Sequence, residues 1–253
     1  MAIVYQGHDV FEKNVQQLPY TFEQSVLEDY VKQVITKYPE NNQIRSWGRG
    51  YGGWIIQGRK DDPVLRQWDS NVFSKVNPDN FEEWLYENIA QCYHRTDIAK
   101  YDFISDTLKS LENLGFNPRR MRLSKLAAGS TLKIHNDMGF GIKKYAVRFH
   151  IPCITNQDVQ WIMFDEKLNT RDFNPPEKNR FNEWIEQNED KVICRFHLEA
   201  GKSYMIRTNN IHTVTNPSDQ DRYHINCNIW DTSDSSKFPF NSEYAVDLDT
   251  QTS

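Results

Sequence analysis

From position 121 onward the apolar residues stop recurring at helical spacing and begin to alternate with polar ones. A period of two is the signature of strands with one buried face. The alternating runs are short, at 121–126, 131–135, 144–153, 159–164, 192–198, 203–207, 212–215 and 223–230. Gly, Asn, Asp and Pro punctuate them, as tight turns require. About eight short strands in succession predict a sandwich or barrel.

The first third reads as mostly helical. Over 21–38, Phe22, Val26, Tyr30 and Val34 recur at helical spacing, and Pro39 ends the run. A second helix is expected from Asn77-Pro78 to Tyr93, with Phe81, Trp84, Leu85, Ile89 and Cys92 on one side. A third is expected over 98–114, stopping at Gly115. Between them, 45–57 reads as a Gly-rich loop entering a short strand at 54–57. An insertion, 165–190, interrupts the later strands. Its second half, 177–187, has the pattern of an amphipathic helix with Phe181, Trp184 and Ile185. It reads either as a lid beside a barrel mouth or as a surface helix covering a sheet edge. The expected organisation is one domain over 1–253. It comprises a helical N-terminal support region (1–117), a β core (118–232) and a C-terminal tail (233–253).

Several function classes are disfavoured by composition. The net charge of −5 argues against a nucleic-acid partner. The one basic cluster, Arg119, Arg120, Arg122 and Lys125, reads as a solvated strand edge. The 4 cysteines form no C-x-x-C pair, which argues against a thiolate zinc site and for a reducing, cytoplasmic setting. No signal-peptide pattern and no membrane-spanning apolar stretch is expected.

Polar residues break the apolar strands at a few places. His135 and Asp137 are two apart at a strand end, so they project together. His212 opens another strand just after a turn-like Thr-Asn-Asn. Two His and one carboxylate on a shared face, with positions left open, suit ferrous iron. Arg148 and His150 alternate with Val147, Phe149 and Ile151. If the apolar face packs on the N-terminal helices, the Arg148 face lines the barrel interior, where a buried arginine needs an anion such as a dicarboxylate. The other reading turns Arg148 and His150 to water. The last strand repeats the pattern: Arg222, His224, Asn226 and Asn228 on one face, Tyr223, Ile225, Cys227 and Ile229 on the other.

The run R-L-x-K-L-x-x-G-x-x-x-x-x-H-x-D from Arg122 to Asp137, then RFHIPCITN from Arg148, then FHLEAGKSYMI from Phe196, then His212 with Val214, Asn216 and Arg222, resembles the aspartyl/asparaginyl β-hydroxylase family of Fe(II)- and 2-oxoglutarate-dependent dioxygenases. That family is similar to bacterial free-proline hydroxylases. The resemblance covers about residues 119–232, in the order and spacing of its motifs. It implies a mainly β fold with N-terminal helices, a double-stranded β-helix (jelly-roll, cupin-like barrel) packed against helices. It implies iron at His135, Asp137 and His212, and 2-oxoglutarate held at its distal carboxylate by Arg222, with Arg148 and His150 as further contacts. Some membrane-bound members lack the carboxylate ligand, whereas Asp137 keeps the three-ligand form here. The implied reaction consumes O2 and 2-oxoglutarate, releases succinate and CO2, and hydroxylates an unactivated C–H bond.

For substrate contact the candidates are Asn156, Trp161, Arg195, Arg207, His224 and Asn226, polar or aromatic residues that punctuate apolar strands near the motifs. An inward arginine favours an amino-acid-like substrate with a carboxylate, free or within a peptide. Two other classes stay open: a cupin-like metalloenzyme that uses no keto acid, and a non-catalytic binding module on the same barrel. A nucleic-acid demethylase ranks lower, since the charge balance offers no basic groove.

Overall fold

Alternation in the sequence becomes two antiparallel sheets laid face to face. A computed structural model describes residues 2–40, 50–58, 93–114, 116–135, 137, 147–165, 181–208 and 210–230. The helix expected up to Tyr93 lies outside the described residues. So do Gly115, most of the insertion and the tail 233–253.

The strands are β1 (Ile3–Gln6), β2 (Val15–Thr21), β3 (Tyr51–Ile55), β4 (Gln57–Gly58), β5 (His94–Arg95), β6 (Asn117–Leu126), β7 (Ser130–Thr131), β8 (Val147–Ile154), β9 (Gln160–Phe164), β10 (Val192–His197), β11 (Lys202–Arg207), β12 (His212–Asn216) and β13 (Arg222–Trp230). The helices are α1 (His8–Asn14), α2 (Gln24–Lys37), α3 (Asp102–Asn113) and α4 (Phe181–Gln187). One sheet runs β2-β11-β8-β13-β6-β3 and the facing one β1-β10-β9-β12-β7, with β4 and β5 as a small separate pair. Sheet neighbours such as β8 and β13, or β9 and β12, are distant in the chain, and from β6 onward every successive pair of strands except β9 and β10 crosses between the two sheets. This is the double-stranded β-helix that the resemblance implied, packed against helices.

Three apolar clusters position the site. In the first, the outer face of the six-stranded sheet, with Leu123, Phe149, Ile151, Ile225, Cys227 and Ile229, packs on α2 and α3. Helix α2 presents Leu27, Tyr30, Val31 and Val34, an i, i+3, i+4, i+7 stripe, and α3 presents Ile104, Leu108 and Leu111. Burying each such side chain is worth about 1.5–3 kcal/mol, which fixes the outer face and so commits the alternate residues to the interior. The second cluster fills the space between the sheets with Leu126, Trp161, Met163, Phe196, Tyr204, Ile206 and Val214. In the third, Ile162, Phe164 and Val192 on the outside of the five-stranded sheet meet Ile185 and Trp184 of α4. The described part of the insertion therefore covers a sheet rather than the barrel mouth.

Local expectations needed correction in three places. Among its described residues the first third carries strands as well as helices, because β1 and β2 join β10 and β11 as edge strands. Their own patterns are weak, and the pairing partners supply the order. Val26, expected on the buried side of α2, is 42% exposed, since the stripe runs one residue later. The expected strand over 131–135 keeps ladder pairing only at β7 and, as an isolated bridge, at His135. No helix among the described residues is long and apolar enough to cross a membrane.

Candidate metal centre

The site is built where the chain after β7 runs antiparallel to β12. His135 N–H donates to the His212 carbonyl at 3.0 Å, and His212 N–H returns the bond to the His135 carbonyl at 2.8 Å. Residues that exchange both bonds are directly opposite, with side chains on one face. The two imidazoles accordingly lie 4.5 Å apart, centroid to centroid. Two residues on, Asp137 N–H donates to the Thr208 carbonyl at 2.9 Å, which brings the carboxylate to the same corner. The candidate ligand atoms of His135, Asp137 and His212 all lie within 4.8 Å of one another.

Ring orientation suits metal capture. His135 Nδ1 is 2.7 Å from the Lys133 carbonyl oxygen, and His212 Nδ1 is 2.7 Å from that of Asn210. A carbonyl only accepts, so each Nδ1 carries the proton and each Nε2 presents its lone pair. The Trp161 indole stacks on the His212 ring at 5.1 Å and 15° and fixes its plane. Burial pushes the His135 imidazole down to about 3, with His212 adding to the shift. Burial also lowers His212, against the opposing pull of Asp137. For Asp137 burial acts upward, but Arg148 and then the two histidines outweigh it and hold the carboxyl well below the usual range. Two neutral imidazoles and one carboxylate are the protonation states a divalent cation needs. Asp137 Oδ2 is buried without a hydrogen-bond partner, as expected of an atom shaped for a ligand.

A second group of polar side chains lines the inner face of the six-stranded sheet. Register sets Asn226 beside His150 and Asn228 beside Arg148 on one side of β13, and Arg222 beside Leu126 on the other. Arg222 is 3% exposed, and burial pushes its guanidinium down to about 10 against the opposing pull of Tyr51 and Cys153. One of its terminal nitrogens lies 2.6 Å from His224 Nδ1. Guanidinium only donates, so His224 accepts there and carries its proton on Nε2. Buried atoms with no hydrogen-bond partner then include Arg222 Nε, Arg148 Nε, His224 Nε2, Trp161 Nε1 and both nitrogens of His150. Most of these are donors. An interior face rich in unmet donors fits a ligand rich in acceptors, such as a dicarboxylate.

The structure brings some expected residues to this inner face and leaves others outside. His135, Asp137 and His212 converge, and Arg148, His150, Arg222, His224 and Asn226 share the inner face. Arg148 is engaged, donating to Asp137 Oδ1 at 2.6 Å. Trp161 backs the His212 ring and meets His150 edge-on at 5.3 Å. Arg195 is a correction: its guanidinium is taken by Glu189 and Gln160 on the outside of the five-stranded sheet. Asn156 caps a turn, bonding the Ser218 hydroxyl at 2.7 Å and the Asp158 N–H at 3.0 Å. Arg207 pairs with Val147, which packs toward the helices, so it alternates away from the inner face.

Two residues of the inner face were not expected there. Arg122, read as part of a solvated edge, is 7% exposed and donates from Nε to Asn226 Oδ1 at 2.8 Å. Its phase was the signal: it alternates in step with Leu126, an apolar residue that a solvated face would not carry. Tyr51 reaches from β3 to the Ser124 hydroxyl at 3.4 Å. Burial acts to raise its phenol, but Arg122, Ser124, Arg148 and Arg222 together bring it below its ordinary value. Nothing in the pattern around Tyr51 marks that position, because a Gly-rich stretch has no clear period.

No family model matches the sequence, and no curated protein matches it. Solved structures similar to the chain include HygX from Streptomyces hygroscopicus with nickel, 2-oxoglutarate and hygromycin B bound, at 11% identity, over 89% of this chain and 86% of that one, with a TM-score of 0.48. A prolyl hydroxylase from Trichoplax adhaerens in complex with a hypoxia inducible factor peptide fragment is similar at 12% identity, over 89% and 87%, with a TM-score of 0.47. A Pseudomonas putida prolyl-4-hydroxylase is similar at 10% identity, over 88% and 96%, with a TM-score of 0.44. At these scores the likeness carries no argument about activity, which rests on the site's own geometry.

Proposed function

We propose that the chain is an Fe(II)- and 2-oxoglutarate-dependent dioxygenase that hydroxylates an unactivated C–H bond of an amino acid, free or in a peptide. One observation carries the reading: a His135–Asp137–His212 cluster, with His212 buried and the other two partly so, stands beside a wall of unmet hydrogen-bond donors around Arg222. His135 and His212 would hold iron through Nε2, and Asp137 through its carboxylate. Arg222, with His150, would hold the distal carboxylate of 2-oxoglutarate. Bound iron and 2-oxoglutarate supply the oxidising chemistry, consuming O2 and releasing succinate and CO2.

The chain's own part is orientation, protonation state and dryness. Lys133 and Asn210 carbonyls hold the two imidazoles in the tautomer that presents Nε2. His224 braces Arg222 from the side, so the guanidinium is aimed before any acid arrives. The apolar residues between the sheets exclude water, which strengthens each charged contact. Tyr51, Arg122 and Asn226 add polar groups farther along the same face and suit an acidic, amino-acid-like substrate. The free, buried thiols of Cys153, Cys194 and Cys227 are consistent with a reducing cytoplasm.

Anaerobic titration of metal-free protein with Fe(II), then 2-oxoglutarate, tests the reading. Wild type is expected to develop the visible metal-to-ligand charge-transfer band, and His135→Ala or His212→Ala to lose it. Arg222→Ala is expected to weaken 2-oxoglutarate binding at least about tenfold, the worth of a charged hydrogen bond. A band that survives both histidine changes would overturn the metal assignment. Full turnover in Arg222→Ala would point instead to a metalloenzyme that uses no keto acid.

A further inference from the structure

The Arg148–Asp137 pair assigns Arg148 a role different from a co-substrate contact. Arg148 Nη2 donates to Asp137 Oδ1 at 2.6 Å, and the two side chains are 16% and 6% exposed. The contact joins one nitrogen to one oxygen and is not a two-pronged fork. Asp137 Oδ2 is left buried with no hydrogen-bond partner. The anchor is rigid, because β8 is an interior strand paired with β11 on one side and β13 on the other. Asp137 itself stands past the end of the β7 segment, and its main-chain N–H is tied to Thr208. Among the described residues, that bond ties its main chain, and Arg148 is the charged group that holds its carboxylate, beside the Thr208 hydroxyl.

We propose that Arg148 is a positioning residue for the metal centre: it pins the Asp137 carboxylate so that it meets the cation as a one-oxygen ligand. The inference rests on the metal reading above. A carboxylate free to rotate can chelate through both oxygens and use a coordination position that the open face needs. Three single-atom protein ligands would leave room on the cation for a co-substrate. Committing Oδ1 to Arg148 would keep Asp137 among the single-atom ligands. It also withdraws Arg148 from 2-oxoglutarate, which leaves Arg222 and His150 as the groups that meet the acid.

The sign of the effect on metal affinity separates this role from its rivals. Arg148 is a cation beside a cation site, so charge alone predicts that removing it tightens metal binding. Loss of a group that orients a ligand predicts the reverse, by about 10- to 100-fold. The test uses metal-free wild type, Arg148→Met and Arg148→Lys, with Co(II) as the probe and calorimetry as the readout, followed by 2-oxoglutarate titration of each Co(II)-loaded protein. Circular dichroism and thermal melting of the metal-free forms check that each is folded. We expect the Co(II) Kd to rise at least tenfold in Arg148→Met and less in Arg148→Lys, which keeps the charge but not the planar reach. The 2-oxoglutarate Kd of the loaded proteins is expected to change less than about threefold.

An unchanged or lower Co(II) Kd in Arg148→Met overturns the proposal. So does a 2-oxoglutarate Kd that rises as far as the metal Kd, which would return Arg148 to the co-substrate. If Arg148→Met does not fold, Arg148→Lys decides by the same comparison. Failure of the underlying reading looks different. Wild type would then bind no Co(II), or His135→Ala would bind it as well as wild type does.

Discussion

His150 and His224 make the folded chain sensitive to acid in a way that can be counted. Both are buried, at 4% and 1% exposure. Burial first, and then Arg222, pushes each imidazole well below its ordinary value. An unfolded histidine titrates near about 6.5, so below that pH the unfolded chain binds protons that the folded chain refuses. Each histidine's contribution is therefore present above about pH 6.5 and is lost as pH falls toward the folded value. At pH 5.5 the loss is about 1.4 kcal/mol per histidine, or about 3 kcal/mol for the pair. Against a typical total of about 5–15 kcal/mol, that is a large fraction. The assay is urea unfolding of metal-free protein at pH 7.5 and 5.5, followed by tryptophan fluorescence. Wild type is compared with a His150→Gln/His224→Gln double variant. His135, His197 and His212 are also lowered by burial, so wild type should lose more than the pair alone accounts for. The double variant should lose about 3 kcal/mol less than wild type over the same interval. If both proteins lose the same amount, the two rings are not held neutral by the fold, and the electrostatic reasoning about the inner face fails with them.

Two further outcomes test the scaffold. Gly7 has a φ of +72° at the start of α1, and an added Cβ would stand 1.9 Å from the Ile193 carbonyl oxygen. Gly7→Ala should cost at least about 2 kcal/mol in urea unfolding, and an unchanged midpoint would contradict that packing. Asn216 is fully buried and its side-chain amide donates to the Leu126, Ala127 and Gln220 carbonyls at 3.1, 3.2 and 2.8 Å. Asn216→Ala should destabilise by about 2–3 kcal/mol, measured the same way, because the carbonyls are left without that donor; a loss under half of that would mean water takes its place.

The chemistry-bearing strands were legible because their faces are a local property. On β8 and β13, Phe149 and Ile151, and Ile225 and Cys227, announce one apolar face, so Arg148 with His150 and Arg222 with His224 must share the other. Which face turns inward was not local. It follows from α2 and α3 covering the apolar side, and α2's own stripe was placed a residue early at Val26. Arg122 shows the limit of reading charge as exposure: four basic residues close together looked like a surface, yet one of them is an interior side chain bonded to Asn226. Arg195 shows the converse, since Glu189, from a neighbouring turn, takes it outside.

By itself the sequence determined the strand periodicity, the pairing of His135 with Asp137 at one strand end, and the chemical character of β8 and β13. These depend on side chains one or two residues apart, and the backbone's period of two turns spacing into direction. Only the tertiary structure decided that His212 lies opposite His135, that Asp137 is bound by Arg148, and that Tyr51 and Arg122 join the inner face. Each of those depends on register between strands far apart in the chain, and register is set by what the whole core buries rather than by any local pattern.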